Sequence, residues 1–222
     1  LPLPADLADA KGVDLRGWDG SGWAYMPSRI DTAAGEVVAA EGALPLAVAL
    51  VRSNANAQPV ISVELAPDAA VPEDVTPLVG ETSVGPLVLD QSGSLTGDIA
   101  GLPEGNNRFI RITNRGAVVD QAAITAFLNE PAMQDAQIGG LVEQAKAGGF
   151  AGVHVDYQGI PAAMSAAFTE YVNRLADALR AEGMQLAITL GTPAPVGNGW
   201  DTGGQNWTAL GRAADIVHVQ MP

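Results

Sequence analysis

Short stretches of alternating apolar and polar residues fill the first fifty positions, a pattern typical of β-strands. The alternation is clearest from Trp23 to Met26. With turns at Asp19-Gly20 and at 32–35, the pattern predicts four strands, at 14–18, 22–27, 36–41 and 44–52. Because so few residues make only a thin core, we interpret residues 1–52 as the C-terminal part of a small β-sandwich-like module.

Three aromatic residues of this segment, Trp18, Trp23 and Tyr25, allow two interpretations. Exposed rings would form a platform for the flat face of a sugar, whereas buried rings would supply the core of the small β unit. We favour core packing, because aromatic side chains carry a large apolar area and dominate core energetics.

Residues 53–59 are a polar segment that predicts a linker. From 60 to 222 the pattern changes to strands alternating with helices, which is typical of a parallel sheet or barrel. The predicted strands are 60–65, 83–89, 108–113, 152–157, 185–190 and 216–221, and the predicted helices are 120–129, 131–147, 162–182 and 207–214. Since a complete eight-stranded barrel takes about 250 residues, we expect a TIM-barrel-like α/β domain that is incomplete, with six strands, preceded by a small all-β segment.

Composition excludes several classes of partner. The chain is 47% hydrophobic over 222 residues, enough for a substantial core, and its net charge is −14. That charge disfavours nucleic acid and anionic membrane surfaces. The absence of cysteine excludes disulfides, thiolate metal sites and thiol nucleophiles. No apolar run reaches the roughly 18 residues of a membrane span, so we expect no membrane insertion.

The segment from Phe150 to Gln158 carries the most informative motif, FAGVHVDYQ. It resembles the fourth barrel strand of glycoside hydrolase family 18, the chitinase-like enzymes, whose signature is D-x-x-D-x-D-x-E. The four acids of that signature fall on Ala151, His154, Asp156 and Gln158. One acid of the four, Asp156, is present.

Further segments between residues 80 and 222 resemble the spore-cortex branch of the same family. Ile112-Thr113-Asn114 is similar to its third-strand V-T-N, residues 168–183 to its fourth helix, and 186–190 to its fifth strand. Residues 213–219 are similar to its sixth-strand run A-A-D-x-V-H-L, which the family continues as M-x-Y-D. In that register the family's Met corresponds to Gln220 of this chain and the family's Tyr to Pro222. If the alignment is shifted by one residue, the family's Met corresponds to Met221, and the position of the Tyr lies beyond residue 222.

The resemblance implies a defect in catalysis. In the family, the Glu protonates the glycosidic oxygen, the neighbouring Asp orients the substrate's N-acetyl group, and the Tyr hydrogen-bonds that group. The amide of Gln158 has no proton to donate near neutral pH, and loss of a general acid costs roughly a hundred- to ten-thousand-fold in rate. We therefore identify no catalytic residue, only the degenerate positions Asp156 and Gln158.

Strand alternation places His154, Asp156 and Gln158 on one face, which points into the barrel of the resembled fold. Trp200 lies in a Gly-rich loop after the fifth predicted strand, at the expected rim. The candidate ligand-binding residues are His154, Asp156, Gln158, Asn114, Trp200 and Gln220. We favour a hydrogen-bonded interior over a metal site, because His218 is the only other histidine, and we expect no cofactor.

The resemblance points to a catalytically degenerate family 18-like domain of a secreted or surface-anchored bacterial protein, with an extracellular location. Its expected ligands are chitin-like or peptidoglycan glycans that contain N-acetylglucosamine. One alternative is an active glycosidase with a relocated acid, for which Glu64, Asp90 and Asp201 are candidates. Another is a purely architectural subunit. In each case we expect a protein partner or further chain to cover the sheet edge after Met221.

Overall fold

A computed structural model describes residues 1–2, 13–31, 33–39, 45–52, 61–66, 69–99, 107–197 and 199–220. The chain divides into two compact units, Leu1–Pro59 and Val60–Pro222. The predicted linker, 53–59, lies outside the described residues, as do Met221 and Pro222. None of the helices in the described ranges is long and apolar enough to cross a membrane.

The first unit is antiparallel. Its strands are β1 (Val13–Trp18), β2 (Trp23–Met26), β3 (Ser28–Asp31), β4 (Glu36–Ala39) and β5 (Ala47–Arg52). A three-stranded sheet has the order β2-β1-β5, and β3 pairs with β4. The core of this unit is small, with Leu15, Met26 and Val37 buried together.

The expectation that the aromatic residues of this unit pack in its core is wrong. Trp23 is 51% exposed and Tyr25 is 55% exposed. Strand pairing explains the difference, because Met26 and its partner Leu15 take the inner face while Trp23 and Tyr25 lie on the other. The inner face is then too small to hold the rings as well.

The second unit alternates strands and helices. Its elements are β6 (Ile61–Leu65), β7 (Val79–Leu89), β8 (Leu95–Thr96), β9 (Arg108–Thr113), α1 (Gln121–Leu128), α2 (Pro131–Ala147), β10 (Gly152–Asp156), α3 (Ser165–Ala181), β11 (Gln185–Leu190), β12 (Ala194–Val196), β13 (Gly199–Asp201), α4 (Trp207–Ala213) and β14 (Ile216–Val219). Six parallel strands form one sheet in the order β14-β11-β10-β9-β7-β6, with β8 paired to β7. The predicted α/β, TIM-barrel-like fold with six strands is confirmed.

Local sequence signals set several of these boundaries. The Asp120 side chain accepts a hydrogen bond from the Ala123 N–H and caps α1, and Asn206 caps α4 in the same way. Pro131 occupies the first turn of α2, where its missing N–H costs nothing. Gly152 begins β10 so close to its neighbour that an added Cβ would lie 1.8 Å from the Gln185 carbonyl oxygen.

Other boundaries differ from the prediction. Strand β7 begins at Val79 rather than residue 83, because β6 pairs with Val79, Glu81 and Thr82, a polar stretch without a strand-like pattern. The hairpin β12–β13 replaces a predicted loop. A 3₁₀ turn, Ala162–Met164, precedes α3 and takes the place of the predicted first helical turn.

The sheet is curled, and its two faces differ. Val153, Val155 and Tyr157 point outward into the core shared with the helices. There Gln137 Oε1 accepts hydrogen bonds from the hydroxyls of Tyr157 and Tyr171, at 3.1 and 2.6 Å. The inner face is polar, and its curl brings His218 of β14 within 3.2 Å of Glu81 on β7, although three strands lie between β14 and β7 in the sheet.

The edges of the sheet are open. Among the described residues no strand pairs with the outer side of β14 or of β6. Val217 and Val219 on β14 are 41% and 43% exposed. A parallel edge strand with half-exposed valines is a template for further pairing.

We predict that this edge drives concentration-dependent self-association of the chain. Val217→Lys should reduce it, because a lysine on an edge strand opposes strand addition. Analytical ultracentrifugation over a range of protein concentrations measures the effect. Val118→Lys is the control, since Val118 is 75% exposed in a loop and its replacement should change nothing. Monomeric behaviour of the unsubstituted chain at all concentrations would contradict the prediction.

From the two histidines of the inner face we predict that the free energy of unfolding passes through a maximum as the pH is changed. Burial lowers the pKa of His154 to about 4, whereas the hydrogen bond that His218 donates to Glu81 raises the pKa of His218. Between about pH 6.5 and 4 the unfolded chain protonates His154 and the folded chain does not, so stability falls by on the order of 3 kcal/mol. Above pH 6.5 the His218 contribution is lost as the pH rises through its folded pKa.

The free energy of unfolding is measured by urea denaturation at each pH from 4 to 9, and hydrogen exchange in β10 and β11 gives the local stability over the same range. His154→Gln should flatten the acid side of the profile and His218→Gln the alkaline side. Parallel profiles for both variants and the unsubstituted chain would show that neither histidine contributes.

Candidate functional site

A cleft of about 460 Å³ opens at the carboxyl ends of the strands. Its volume lies within the usual range of small-ligand pockets. Residues that follow β9, β10, β11 and β14 line it, among them Arg115, Gln158, Thr192 and Gln220. The carboxyl ends of parallel strands converge at this rim, where (β/α) barrels hold their active sites.

Asn114 fixes the backbone of Gln158. Its Oδ1 accepts the Gln158 N–H at 2.8 Å, and its Nδ2 donates to the Gln158 carbonyl oxygen at 2.9 Å. Nδ2 also donates to the Asp120 carbonyl oxygen at 3.2 Å. Asn114 is fully buried, so it acts as a clamp between the ends of β9 and β10 rather than as a direct ligand group.

The side-chain amide of Gln158 has one possible orientation. Its Nε2 donates to Asp156 Oδ1 at 2.8 Å and to the Thr189 carbonyl oxygen at 3.3 Å. Both neighbours are acceptors, so the NH₂ group must face them. No donor among the described residues reaches Oε1, and Gly191 leaves room for it, since a Cβ there would lie 2.7 Å from that oxygen.

Asp156 is 1% exposed and is paired with a cation. Arg111 of β9 donates to Asp156 Oδ2 at 2.6 Å and contacts Glu64 of β6 at 2.8 Å. The guanidinium therefore joins three strands across the inner face. The sequence analysis missed Arg111, although a lone charge within the apolar run of β9 was a signal for it.

His154 lies deeper in the half-barrel, fully buried. Its Nδ1 and Nε2 each lie 2.7 Å from a hydroxyl, of Ser83 and Thr189 respectively. Its ring stacks on that of His218 at a centroid distance of 4.7 Å. With its pKa lowered by burial and by the neighbouring His218, His154 is a neutral structural residue that does not line the cleft.

The inner face offers no cation site in the part of the chain that the structure describes. No three His, Asp or Glu side chains there are placed to hold a metal ion. The acids are instead engaged with basic groups, Asp156 and Glu64 with Arg111, and Glu81 with His218.

The remaining candidates lie at different depths. Gln220 lines the cleft, and its carbonyl oxygen accepts the Thr192 hydroxyl at 3.0 Å. Trp200 is on the β12–β13 hairpin, 71% exposed, and does not line the cleft, although its neighbour Asp201 does. Gln205, which the sequence analysis missed, braces the rim by accepting the Gly191 N–H at 2.7 Å and donating to the Tyr157 carbonyl oxygen at 3.0 Å.

A larger hollow, about 780 Å³, lies between the β7–β8 turn and α2, with Met133, Gly140 and Phe150 in its wall. It is on the helix side of the sheet and shares no residue with the cleft. Since this hollow does not lie at the carboxyl ends of the parallel strands, we place the candidate site at the rim.

Comparison with known proteins gives relatives by structure. No protein-family model and no curated protein matches the sequence. A class V chitinase from Pseudomonas fluorescens Pf-5 is 24% identical, with a TM-score of 0.57 over 67% of this chain and 48% of its own. The spore cortex-lytic enzyme SleL from Bacillus megaterium QM B1551 is 16% identical, with a TM-score of 0.60 over 82% of this chain and 47% of its own.

A Glu-to-Gln mutant of the class V chitinase from Nicotiana tobaccum, in complex with NAG4, is 16% identical, with a TM-score of 0.58 over 72% of this chain and 51% of its own. The chain thus spans about half the length of these solved structures. The resemblance to chitinase-like and cortex-lytic enzymes is confirmed at the level of fold. The chain has the TIM-barrel-like fold of these enzymes, in the form of a curled half-barrel of six parallel strands.

Proposed function

We propose that the second unit is a catalytically degenerate glycan-binding domain of a secreted or cell-surface bacterial protein. Its ligands are chitin-like or peptidoglycan polymers that contain N-acetylglucosamine. The shared fold supports this, as does the position of the cleft at the rim where such folds hold their sites. The tobacco neighbour, which carries an acid-to-amide change, is in complex with NAG4.

The hydrogen bonding of Gln158 is the observation that carries the proposal. Both protons of its amide are directed to Asp156 and to the Thr189 carbonyl, so the group can accept a hydrogen bond from a ligand but cannot protonate a leaving group. The free Oε1 suits a sugar hydroxyl or the N–H of an N-acetyl group. This geometry supports binding without hydrolysis.

One observation favours the alternative of a relocated acid. Among the described residues that line the cleft, Asp201 is the only one with a carboxylate. Its Oδ1 accepts the Gly203 N–H at 2.8 Å, which holds it in the turn after β13. The other two candidates lie elsewhere, Glu64 against Arg111 and Asp90 in the β7–β8 turn.

We predict no detectable hydrolysis of chitin oligomers or peptidoglycan glycan strands. The assay is release of reducing ends, with Asp156→Ala and Asp201→Asn as controls. Gln158→Glu should restore little activity, because an acid alone returns neither the N-acetyl-binding Tyr of the family nor a closed barrel. Activity of the chain above the Asp156→Ala level would refute the proposal, and its loss in Asp201→Asn would establish the relocated acid.

We also predict that glycan affinity depends on Asp156, Gln158 and Trp200. Trp200→Ala should weaken binding about fivefold, because one stacked aromatic ring contributes about 1 kcal/mol. Calorimetry with soluble chito-oligosaccharides measures the affinity. Val196→Ala is the matched control, since Val196 lies on the same hairpin and is 59% exposed. If millimolar chito-oligosaccharide gives no heat, the architectural role replaces the binding role.

A further inference from the structure

The first unit presents aromatic side chains on the outer face of its three-stranded sheet. Trp18 pairs with Trp23 and Arg16 pairs with Tyr25 across β1 and β2. Directly paired residues project to the same side of a sheet, so these four side chains share one face. The pairs between them, Leu15 with Met26 and Gly17 with Ala24, belong to the opposite face.

The opposite face holds the apolar core of this unit. Leu15 and Met26 are buried there, and Gly17 lies so close to Met26 and Pro45 that a Cβ would be 2.8 Å from the Met26 sulfur. The aromatic rings of the outer face are not part of that core. Polar residues on this face would stabilise the unit equally well, so folding does not explain the rings. Trp23 and Tyr25 are exposed beside the half-buried Trp18, and clustered aromatic rings of this kind indicate a binding surface.

Two of the rings contact each other, and the third lies under the arginine. The Trp18 and Trp23 centroids are 5.6 Å apart, with their planes inclined by 50°, and the Arg16 guanidinium lies 6.0 Å from the Tyr25 ring centre. On the other side of β1, the residues opposite Trp18 and Arg16 are Ala47 and Ala49 of β5. Because these side chains are short, the surface beside the aromatic rings is open to a ligand.

Charge on this face is balanced. Arg16 and Asp14, which project from the same side of β1, form an ion pair at 3.6 Å. The face is therefore locally neutral on a chain whose net charge is −14. A neutral ligand with flat apolar surfaces and many hydroxyl groups fits this combination, since the rings offer stacking and the ion pair offers donors and acceptors.

The size of the face argues against a second protein. Three strands about 4.8 Å apart and up to six residues long cover roughly 300 Å². A specific protein interface needs about 800 Å² on each partner. An extended saccharide needs only a row of rings at the spacing of its sugar units.

We propose that Trp18, Trp23 and Tyr25, with Arg16, form a platform for an extended, uncharged β-linked polysaccharide, independent of the cleft in the second unit. The sugar rings stack on the indoles and the phenol, and Arg16 and Asp14 bind hydroxyl or N-acetyl groups at the side. The platform retains the chain on an insoluble polymer, a task separate from recognition at the barrel rim.

The test is retention of the full chain on insoluble chitin, measured as a binding isotherm by sedimentation. Trp23→Ala should weaken retention about three- to tenfold, and the double variant Trp23→Ala/Tyr25→Ala further. Trp23→Tyr should keep most of it. Val38→Ala is the matched control, because Val38 is 38% exposed in the same unit but on β4. Thermal unfolding should be unchanged in all of them, since none of these side chains is in the core.

Two further measurements separate this platform from the alternatives. Trp23→Ala should weaken retention by the same factor in a Gln158→Ala background as in the unsubstituted chain, so the platform is tested separately from the barrel cleft. Retention should also be insensitive to added NaCl, because stacking on a neutral ligand is not screened. Three results would each overturn the proposal. The Trp23→Ala/Tyr25→Ala variant could be retained as strongly as the unsubstituted chain, the unsubstituted chain could fail to bind chitin, or Trp23→Ala could dissociate a dimer of the chain.

Discussion

The ion pair between Arg111 and Asp156 is the interaction on which the inner face of the half-barrel depends. Asp156 is 1% exposed, and a buried carboxylate without a partner is strongly destabilising. Arg111 supplies the partner and reaches Glu64 as well, so one guanidinium connects β6, β9 and β10. Removing Arg111 would leave the buried carboxylate of Asp156 uncompensated, typically at a cost of about 3–5 kcal/mol.

Glutamine at residue 158 suits its place beside this pair. A glutamate at residue 158 would place a second carboxylate against Asp156, and like charges at that distance disfavour ionisation of both. Glutamine replaces that repulsion with a hydrogen bond of 2.8 Å. His154 is likewise held without any charge, by the hydroxyl groups of Ser83 and Thr189 at its two ring nitrogens.

The two units support complementary roles. The cleft of the second unit has converging polar groups suited to orienting one or a few sugars, whereas the outer sheet of the first has a neutral aromatic row suited to a long polymer. Neither proposed role requires nucleic acid or another polyanion, in keeping with a chain whose acidity disfavours such ligands.

The sequence by itself determined the order of the six parallel strands and four helices of the second unit, because hydrophobic periodicity and caps such as Asp120 are local. Strand alternation also placed His154 and Asp156 on the inner face, and the motif identified Gln158 as the altered position. Only the tertiary structure decided four further features: the role of Arg111, the hydrogen bonds of Gln205 at the rim, the early start of β7 and the exposure of Trp23. Each depends on which strand lies beside which, since pairing across the sheet selects the partner of a charge and the face on which an aromatic ring is left.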